Sequence, residues 1–319
     1  MKRIDLHRHL LFSTSYQKFL TYLKSIRVRR GDATLYSTIN VFIDKLGQDQ
    51  IFEKANAVAF SFTLAIFPSI IFLFTLIPFI HAIIPEVDTV QIMDFLKVTL
   101  PERMYDVTAG TIKDIIAIKR GGLLSFGVLF ALFLATNGVN TLMRAFNSCY
   151  KTKEKRSFLT TRLIATGITV MLAFVLLLAL VLLVVGQFVI DWLFSFGMLT
   201  EDLLYYTLLL VRLVIVLVTF FLAISLIYYL APAIHDRWRF FSSGSFMAAA
   251  ICVALSFGFA IYINNFATYN KVYGSIGVLI VLMVWLYMLS AVLLMGFEWN
   301  ASADLAARLE QSKSAQKNS

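Results

Sequence analysis

The chain has 319 residues, of which 59% are hydrophobic and 15% are charged, whereas a soluble domain usually carries about 25% charged residues. Its apolar residues are concentrated in runs that reach the roughly 20 residues needed to cross a bilayer, which excludes a soluble enzyme and indicates an integral membrane protein. The formal net charge of +9 does not indicate nucleic-acid binding, because the basic residues flank the apolar runs, where they mark cytoplasmic segments.

Two amphipathic stretches precede the first long apolar run. The first has apolar residues at helical spacing among Lys and Arg, and the second repeats the apolar spacing. A basic amphipathic helix lies readily on anionic lipid headgroups, but it can equally pack beneath the inner face of a helix bundle, and one helix can do both. We predict that residues 1–57 form a cytoplasmic, basic, amphipathic N-terminal segment. The apolar positions are Tyr16, Phe19, Leu20, Leu23 and Ile26, then Leu35, Ile39, Phe42, Ile43 and Leu46.

Six apolar runs follow, and they predict an all-α membrane protein with six transmembrane helices, N-terminal amphipathic helices and a short helical outer loop. In this prediction residues 58–300 form the transmembrane domain and residues 85–122 carry two short helices on the outer side. Residues 301–319 form a polar cytoplasmic tail that begins as a helix and ends disordered. The predicted spans are Val58–Ile84, Leu123–Ala145, Leu163–Ile190, Leu203–Ala231, Gly244–Ala267 and Gly274–Phe297.

The distribution of Lys and Arg predicts that both termini are cytoplasmic. Residues 1–57 contain ten basic residues and residues 146–162 contain five, whereas residues 191–202, on the opposite side, contain none. Lys119 and Arg120 precede the second span and argue for the reverse orientation, but they are outnumbered. The basic N-terminal segment lacks the apolar core of a signal peptide, so we expect the first span to direct insertion.

Four polar residues of the second predicted span share one helix face, because Asn137, Asn140, Arg144 and Asn147 follow spacings of three, four and three. Asn137 lies about 13.5 Å from the inner end of the span, near the midplane of the membrane. Amides and charge at this depth must face protein or water, because contact with lipid is costly. The stripe is either one wall of a substrate cavity open to the cytoplasm, which its length favours, or a set of interhelical hydrogen bonds worth about 0.6 kcal/mol each.

Arg212 lies nine residues into the fourth predicted span, where an unpaired arginine costs roughly 2.5–3.5 kcal/mol. We hypothesise that it faces the bundle and meets an acidic, amide or ligand partner. The alternative is that its flexible stem lets the guanidinium reach the outer interface. Candidate partners are Asp191, Glu201, Asn264 and Asn265.

Two further residues complete the candidate site. Glu298 ends the sixth span at the inner boundary, where it is expected either to pair with Arg144 near the mouth of the cavity or to remain a carboxylate in interfacial water. Pro68 lies inside the first span and removes a backbone hydrogen bond, which predicts a kink. Broken helices line binding sites in transporters, although kinks are also common as plain architecture.

Three segments of the chain resemble one family of bacterial membrane proteins. They begin at Ala55, Thr136 and Tyr269 and read ANAVAFSFTLAIFPSIIFLF, TNGVNTLMRAFNSCY and YNKVYGSIGVLIVLMVWLYMLSAVLLMGFEWN. These segments are similar to the YihY / BrkB family of bacterial inner-membrane proteins, which was formerly labelled ribonuclease BN. The resemblance covers most of residues 35–300. It implies six spans, the bacterial inner (plasma) membrane, and links to virulence, export or lipid-related roles at the envelope, but it supplies no catalytic residue.

The residues predict no metal site, cofactor or catalytic centre. The four histidines are scattered and lack the additional ligands of a zinc site, and the chain has no glycine-rich phosphate loop or nucleophile elbow. A two-metal nuclease needs a cluster of ligands to activate water, so neither nuclease activity nor a nucleic-acid partner is expected. The expected partners are membrane lipids, including anionic headgroups. The histidines are His7, His9, His81 and His235.

Two functional classes therefore remain open. The first is a transporter or flippase that moves a lipidic or amphipathic envelope molecule through an inward-facing polar cavity. It is favoured by the polar stripe, by Arg212, by the kink and by the family resemblance. The second is a structural or scaffold protein of the envelope that transports nothing.

Overall fold

Eight helices form the regular structure of the described residues, and one isolated bridge joins Arg27 to Thr34. The predicted all-α class is therefore confirmed for this part of the chain. The computed structural model describes residues 14–27, 33–48, 50–83, 123–150, 152–195, 201–233, 239–265 and 267–318. The helices are α1 (Thr14–Ser25), α2 (Leu35–Gln48), α3 (Ile51–Ile83), α4 (Leu123–Cys149), α5 (Phe158–Ser195), α6 (Glu201–Leu230), α7 (Ser243–Asn265) and α8 (Ala267–Asn318).

Three of these helices begin at a hydroxyl residue that caps the free backbone amides of the first turn. Thr34 caps α2, Ser157 caps α5 and Ser242 caps α7. Each side-chain oxygen accepts a hydrogen bond from the amide three residues further along, at 3.1–3.2 Å. The caps fix the residues at which the chain enters each helix.

The six long helices pack as a closed ring, because each of α3 to α8 contacts the next along the chain and α8 returns to α3. Helix α2 packs against α8, and α1 packs on α2. Asn147 of α4 bonds to the chain just after α6, so the end of α4, the start of α5 and the end of α6 meet. We call this the Asn147 end of the bundle.

Five helices in the described part of the chain are long and apolar enough to cross a membrane. The first predicted span, Val58–Ile84, falls on α3, which is helical through Pro68. The side chains of most of its second half lie outside the described residues, so the count of six spans and the kink at Pro68 stay predictions. The five spans are Leu129–Cys149, Phe158–Leu183, Tyr206–Leu230, Ser243–Tyr262 and Leu279–Gln316.

The hydrophobic core includes an aromatic cluster near the Asn147 end. Phe146 of α4 stacks on Phe297 of α8 with ring centroids 4.2 Å apart, and Tyr228 of α6 meets both rings edge-on. All three side chains are buried, and the Tyr228 hydroxyl donates to the Leu293 carbonyl oxygen at 2.6 Å. The three aromatic side chains join α4, α6 and α8 across the bundle. The middle of the bundle is therefore filled with side chains at this level.

Helices α7 and α8 approach each other at backbone contact. The Gly244 amide donates to the Asn300 side-chain oxygen at 2.9 Å. A Cβ atom on Gly244 would overlap the carbonyl oxygen of Gly296, and a Cβ atom on Gly296 would come within 2.7 Å of the Ala248 Cβ atom. Glycine at both positions therefore permits the close crossing.

Helix α2 packs against the C-terminal part of α8. Phe42 meets Trp299 edge-on with ring centroids 5.4 Å apart, and Val41 packs in a small cluster with Ala306 and Ala307. Of the two positions that the sequence leaves open for this stretch, the contact of α2 with α8 fits the packed one, and its place at the inner face of the bundle stays a prediction. Contact of α1 or α2 with lipid headgroups stays a prediction.

The C-terminal tail differs from its prediction, because α8 continues to Asn318 and is not disordered over its polar end. Once a helix is nucleated, each added residue gains a hydrogen bond, and the Ala, Gln and Lys of the tail have good helix propensity. Ala303, Ala306 and Ala307 are buried at its start. The two helices predicted within residues 85–122 lie outside the described residues.

Candidate functional site

A cavity of about 200 Å³ lies at the Asn147 end, between α4, the α4–α5 connection and the first turns of α5. It brings together three guanidinium groups and one carboxylate, so its lining is basic. Asn140 and Arg144 are the members of the predicted stripe that line it. The lining residues are Asn140, Met143, Arg144, Glu154, Arg156, Phe158, Thr161 and Arg162.

Arg162 joins α5 to α4 beside this cavity. Its Nη1 donates to the Asn137 side-chain oxygen at 2.8 Å, and its Nη2 donates to the carbonyl oxygen of Phe133. The guanidinium carbon also lies 3.7 Å from the centroid of the Phe133 ring. Arg162 is only 9% exposed. Asn137 therefore positions this arginine and does not itself line the cavity.

Three lining residues carry a buried polar atom that has no hydrogen-bond partner in the described part of the chain. These atoms are Oδ1 of Asn140, Oγ1 of Thr161 and Nε of Arg162. Leaving such a group unsatisfied costs about 1–3 kcal/mol. The set contains a donor, an acceptor and a hydroxyl that can act as either, so it suits a bound polar molecule.

Arg144 is the exposed cation of the cavity. It makes no hydrogen bond or ion pair within the described residues, and its positive charge repels that of Arg162. Two cations that face one cavity in this way favour an anion between them.

Glu154 and Arg156 form the side of the cavity whose polar groups are already hydrogen-bonded within the protein. Glu154 accepts hydrogen bonds from Nε and Nη2 of Arg156, both at 2.7 Å, and from Nδ2 of Asn147 at 2.8 Å. Arg156 also donates to the Ala231 carbonyl oxygen at 3.0 Å, and the Asn147 oxygen accepts from the Ala233 amide at 2.8 Å. Both ends of the Asn147 amide are thus used to tie the α4–α5 connection to the end of α6.

The charge of Glu154 is stabilised by this network. The hydrogen bond from Arg156 lowers the pKa of the Glu154 carboxyl below its ordinary value of 4.5, against the opposing effect of partial burial, and the Asn147 amide adds to the lowering. Glu154 therefore stays ionised near neutral pH and offsets the charge of Arg156. The charges of Arg144 and Arg162 have no acidic partner within the part of the chain that the structure describes.

Glu298 lies away from this cavity and has a different partner from the one expected. Its side chain is fully buried, and it accepts a hydrogen bond from the Lys45 ammonium at 2.6 Å. The pairing with Arg144 and the solvated carboxylate were both expected from position along the chain alone. Neither occurs, because α2 packs on α8 and brings Lys45 to the site.

Lys45 also lines a second cavity, of about 230 Å³, at the junction of α2, α4 and α8. Tyr150 donates to the Asp304 carboxylate there, and Arg308 lies 3.2 Å from the same carboxylate. The second cavity is therefore surrounded by groups that already pair with one another.

Arg212 is exposed on α6 and does not line either of these two cavities, and its acidic, amide or ligand partner stays a prediction. The apolar residues that follow it, Leu213 and Val214, are exposed too. The side chains of the four candidate partners lie outside the described residues.

The cavity offers cations and hydrogen-bond donors but only one carboxylate. Within the described ranges, no group of three or more His, Cys, Asp and Glu side chains is placed to hold a metal ion. The chemistry that these residues can supply is recognition of an anion.

Sequence reasoning missed Glu154, Arg156, Thr161 and Arg162, because it treated the basic run before the third span as a topological flank. The predicted span begins at Leu163, whereas α5 begins at Phe158, directly after its Ser157 cap. Recognising that cap places Arg162 about one turn inside the helix, but its contact with Asn137 depends on how α4 and α5 pack.

Comparison with known proteins identifies relatives over most of the chain. The family model described as Virulence factor BrkB matches residues 42–319. The ribonuclease-like protein YfkH of Bacillus subtilis is 31% identical over 249 residues, which cover 78% of this chain and 88% of that protein. The UPF0761 membrane protein Smlt0865 of Stenotrophomonas maltophilia is 24% identical over 256 residues, which cover 80% of this chain and 58% of that protein.

A shorter match supports the same assignment. A UPF0761 membrane protein of Tolumonas auensis is 38% identical over 79 residues, which cover 25% of this chain and 26% of that protein. No solved structure matches the chain. With its several apolar helices and these membrane-protein relatives, the chain is a multi-pass integral membrane protein that belongs to the Virulence factor BrkB family.

Proposed function

We propose that this protein is a transporter or flippase of a lipidic or amphipathic envelope molecule in the bacterial inner membrane, with no catalytic step of its own. The observation that carries the proposal is the basic cavity between α4 and α5. It contains two uncompensated arginines and three buried polar atoms without partners in the described part of the chain.

The physical argument concerns the cost of these groups inside an apolar bundle. Charged and amide side chains within membrane-spanning helices are retained where they pair or line a polar pathway. Asn137 and Asn147 have protein partners, but Asn140 and Arg144 do not within the described residues. Three of the six buried side-chain atoms without a partner among the described residues belong to residues that line this cavity, and a transported polar headgroup would account for these three together.

The competing candidate is a scaffold protein, and two contacts favour it. The aromatic cluster of Phe146, Tyr228 and Phe297 packs the middle of the ring, and Asn147 serves only to join connections. Under the proposed function, the substrate therefore reaches the cavity between α4 and α5 and not along the axis of the ring.

Function and stability must be separated to decide between the two candidates. We would replace Asn140 with Leu and Arg144 with Lys, and use Arg239→Lys as the control, because Arg239 is an exposed arginine outside the cavity. Each variant would be measured for membrane abundance, for thermal stability and for complementation of the envelope defect of a deletion strain. Transport predicts lost complementation at normal abundance and stability. If function falls only in proportion to stability, the scaffold is supported.

A further inference from the structure

Building on the proposed function, we infer that the α4–α5 cavity binds the phosphate group of a lipid whose acyl chains remain outside, against the exposed aromatic side chains at and beside the same cavity. This assigns the substrate class, the group that is recognised, and the direction from which it enters. Arg144 and Arg162 are the binding residues, and the first turn of α5 completes the site.

The charge of the cavity selects an anion. Its lining has three guanidinium groups and one carboxylate, and both oxygens of that Glu154 carboxylate already accept hydrogen bonds from Arg156. Of the remaining positive charges, Arg144 is on α4 and Arg162 is in the first turns of α5, where the helix dipole and the free amides also favour negative charge. Arg162, about nine-tenths buried, provides an Nε donor that has no partner among the described residues.

The distribution of donors favours phosphate. A guanidinium binds phosphate through two parallel hydrogen bonds, and a phosphate monoester presents three acceptor oxygens to groups that surround it. Arg144 and Arg162 both line the cavity, so one bound anion could offset the two positive charges. Thr161 and Asn140 also line the cavity, and each has a buried polar atom without a hydrogen-bond partner in the described part of the chain.

Exposed aromatic side chains lie at and beside the cavity, which indicates a ligand with a hydrocarbon part. Phe158 lines the cavity and is 74% exposed, and Phe133, whose ring contacts the Arg162 guanidinium, is 48% exposed. A volume of about 200 Å³ holds several water-sized groups, since one water occupies about 30 Å³ in the liquid. This suits a headgroup but is too small for two acyl chains, which would lie along these aromatic side chains.

The experiment compares ligands that differ in one group. Full-length protein in mild detergent would be titrated with dioleoyl phosphatidic acid, with dioleoylglycerol, which has the same chains without phosphate, and with inorganic phosphate. Binding would be followed by native mass spectrometry. We expect phosphatidic acid to bind, and neither dioleoylglycerol nor inorganic phosphate to bind at the same concentration.

Substitutions then locate the site. Arg144→Gln should weaken phosphatidic acid binding about tenfold, because a charge-assisted pair is lost, whereas Arg239→Gln should leave it unchanged. Arg162→Gln should weaken it as well, but this variant also removes contacts between α4 and α5. The exposed Arg144 therefore provides the decisive comparison, because its loss leaves those contacts intact.

Three results would overturn the inference. Equal binding of dioleoylglycerol would show that phosphate is not recognised, and binding of inorganic phosphate alone would assign the site to a soluble anion. Unchanged affinity in Arg144→Gln would place the lipid elsewhere. Because binding is measured without movement across a membrane, a protein that binds phosphatidic acid here but moves no lipid would refute the proposed function and leave this site in place.

Discussion

At the scale of single residues, the buried pair of Lys45 and Glu298 is the interaction with the clearest consequence for stability. The Glu298 side chain is fully buried and the Lys45 side chain is 14% exposed, so neither charge is well solvated. Removing one partner of such a pair leaves the other charge in a poor environment. The pair also fixes the position of α2 on α8.

We predict that Lys45→Met lowers the free energy of unfolding by about 3 kcal/mol, measured by SDS titration of protein in mild-detergent micelles. The double variant Lys45→Met, Glu298→Gln serves as the control and should recover part of the loss, because no buried charge then remains without its partner. A change within about 0.5 kcal/mol in Lys45→Met, typical of an unimportant surface position, would contradict this account of the pair.

The ion pair of Glu154 and Arg156 predicts a pH dependence with a definite sign. Because the pKa of Glu154 is lowered in the folded protein, its contribution to stability is present above the ordinary value of 4.5 and is lost as the pH falls through the lower, folded value. The difference in melting temperature between wild type and Glu154→Gln should be constant near neutral pH and should shrink below about pH 4.5. A difference in melting temperature that grows as the pH falls would have the opposite sign and would contradict this prediction.

At this scale the structure brings two residues of the predicted stripe to one cavity and gives the other two different partners, and physical reasons explain the division. Helical spacing placed Asn140 and Arg144 on the face that lines the cavity. Spacing could not show that Asn137 and Asn147 have partners on α5 and after α6, because these partners come from distant segments. For the same reason, spacing along the chain does not indicate that Lys45 is the partner of Glu298, because the two residues are more than 250 positions apart.

At the scale of helices, the crossing of α7 and α8 depends on Gly244 of α7 and Gly296 of α8. A methyl group on Gly296 would come within 2.6 Å of the Tyr228 hydroxyl and 2.7 Å of the Ala248 Cβ atom, closer than packed atoms allow. Gly258, also on α7, has no neighbouring atom within 4 Å of the same position and is exposed. Gly296, at the crossing, and Gly258, in open space, therefore form a matched pair for the same glycine-to-alanine substitution.

We predict that Gly296→Ala destabilises the protein by about 1–3 kcal/mol, because overpacking forces the helices apart. Gly258→Ala should be neutral, or stabilising by up to about 1 kcal/mol, since alanine is the better helix former. SDS titration of both variants provides the measurement. Equal effects of the two substitutions would mean that the close crossing does not contribute to stability.

Helix positions were largely predictable from the sequence, because long apolar runs can satisfy their backbone hydrogen bonds in a membrane only as helices or closed barrels. Helix ends were less predictable. Hydropathy predicts that the third span begins at Leu163, whereas α5 begins at Phe158, after a hydroxyl cap. Helix α8 likewise continues beyond the apolar run to Asn318. Caps and helix propagation act beyond the apolar run, so hydropathy alone misses them.

At the scale of the whole molecule, the predicted orientation places the basic cavity on the cytoplasmic side. The two native cysteines, Cys149 and Cys252, are buried, so single engineered cysteines can report orientation against a low background. We predict that Asp106→Cys reacts with a membrane-impermeant maleimide in intact cells, and that Ala315→Cys reacts only after permeabilisation, because the Lys and Arg bias puts the tail inside. Labelling of position 315 but not of position 106 in intact cells would reverse the orientation.

The central claim, that the α4–α5 cavity carries a lipidic molecule across the membrane, is tested most directly by lipid translocation in proteoliposomes. A fluorescent phospholipid in the inner leaflet would be exposed to an impermeant quencher outside, with and without an imposed proton gradient. We expect wild-type protein and Arg239→Gln to speed quenching under at least one condition, and Arg144→Gln to approach the rate of protein-free liposomes. Translocation no faster than in protein-free liposomes for wild type under both conditions, or equal rates for wild type and Arg144→Gln, would contradict the claim.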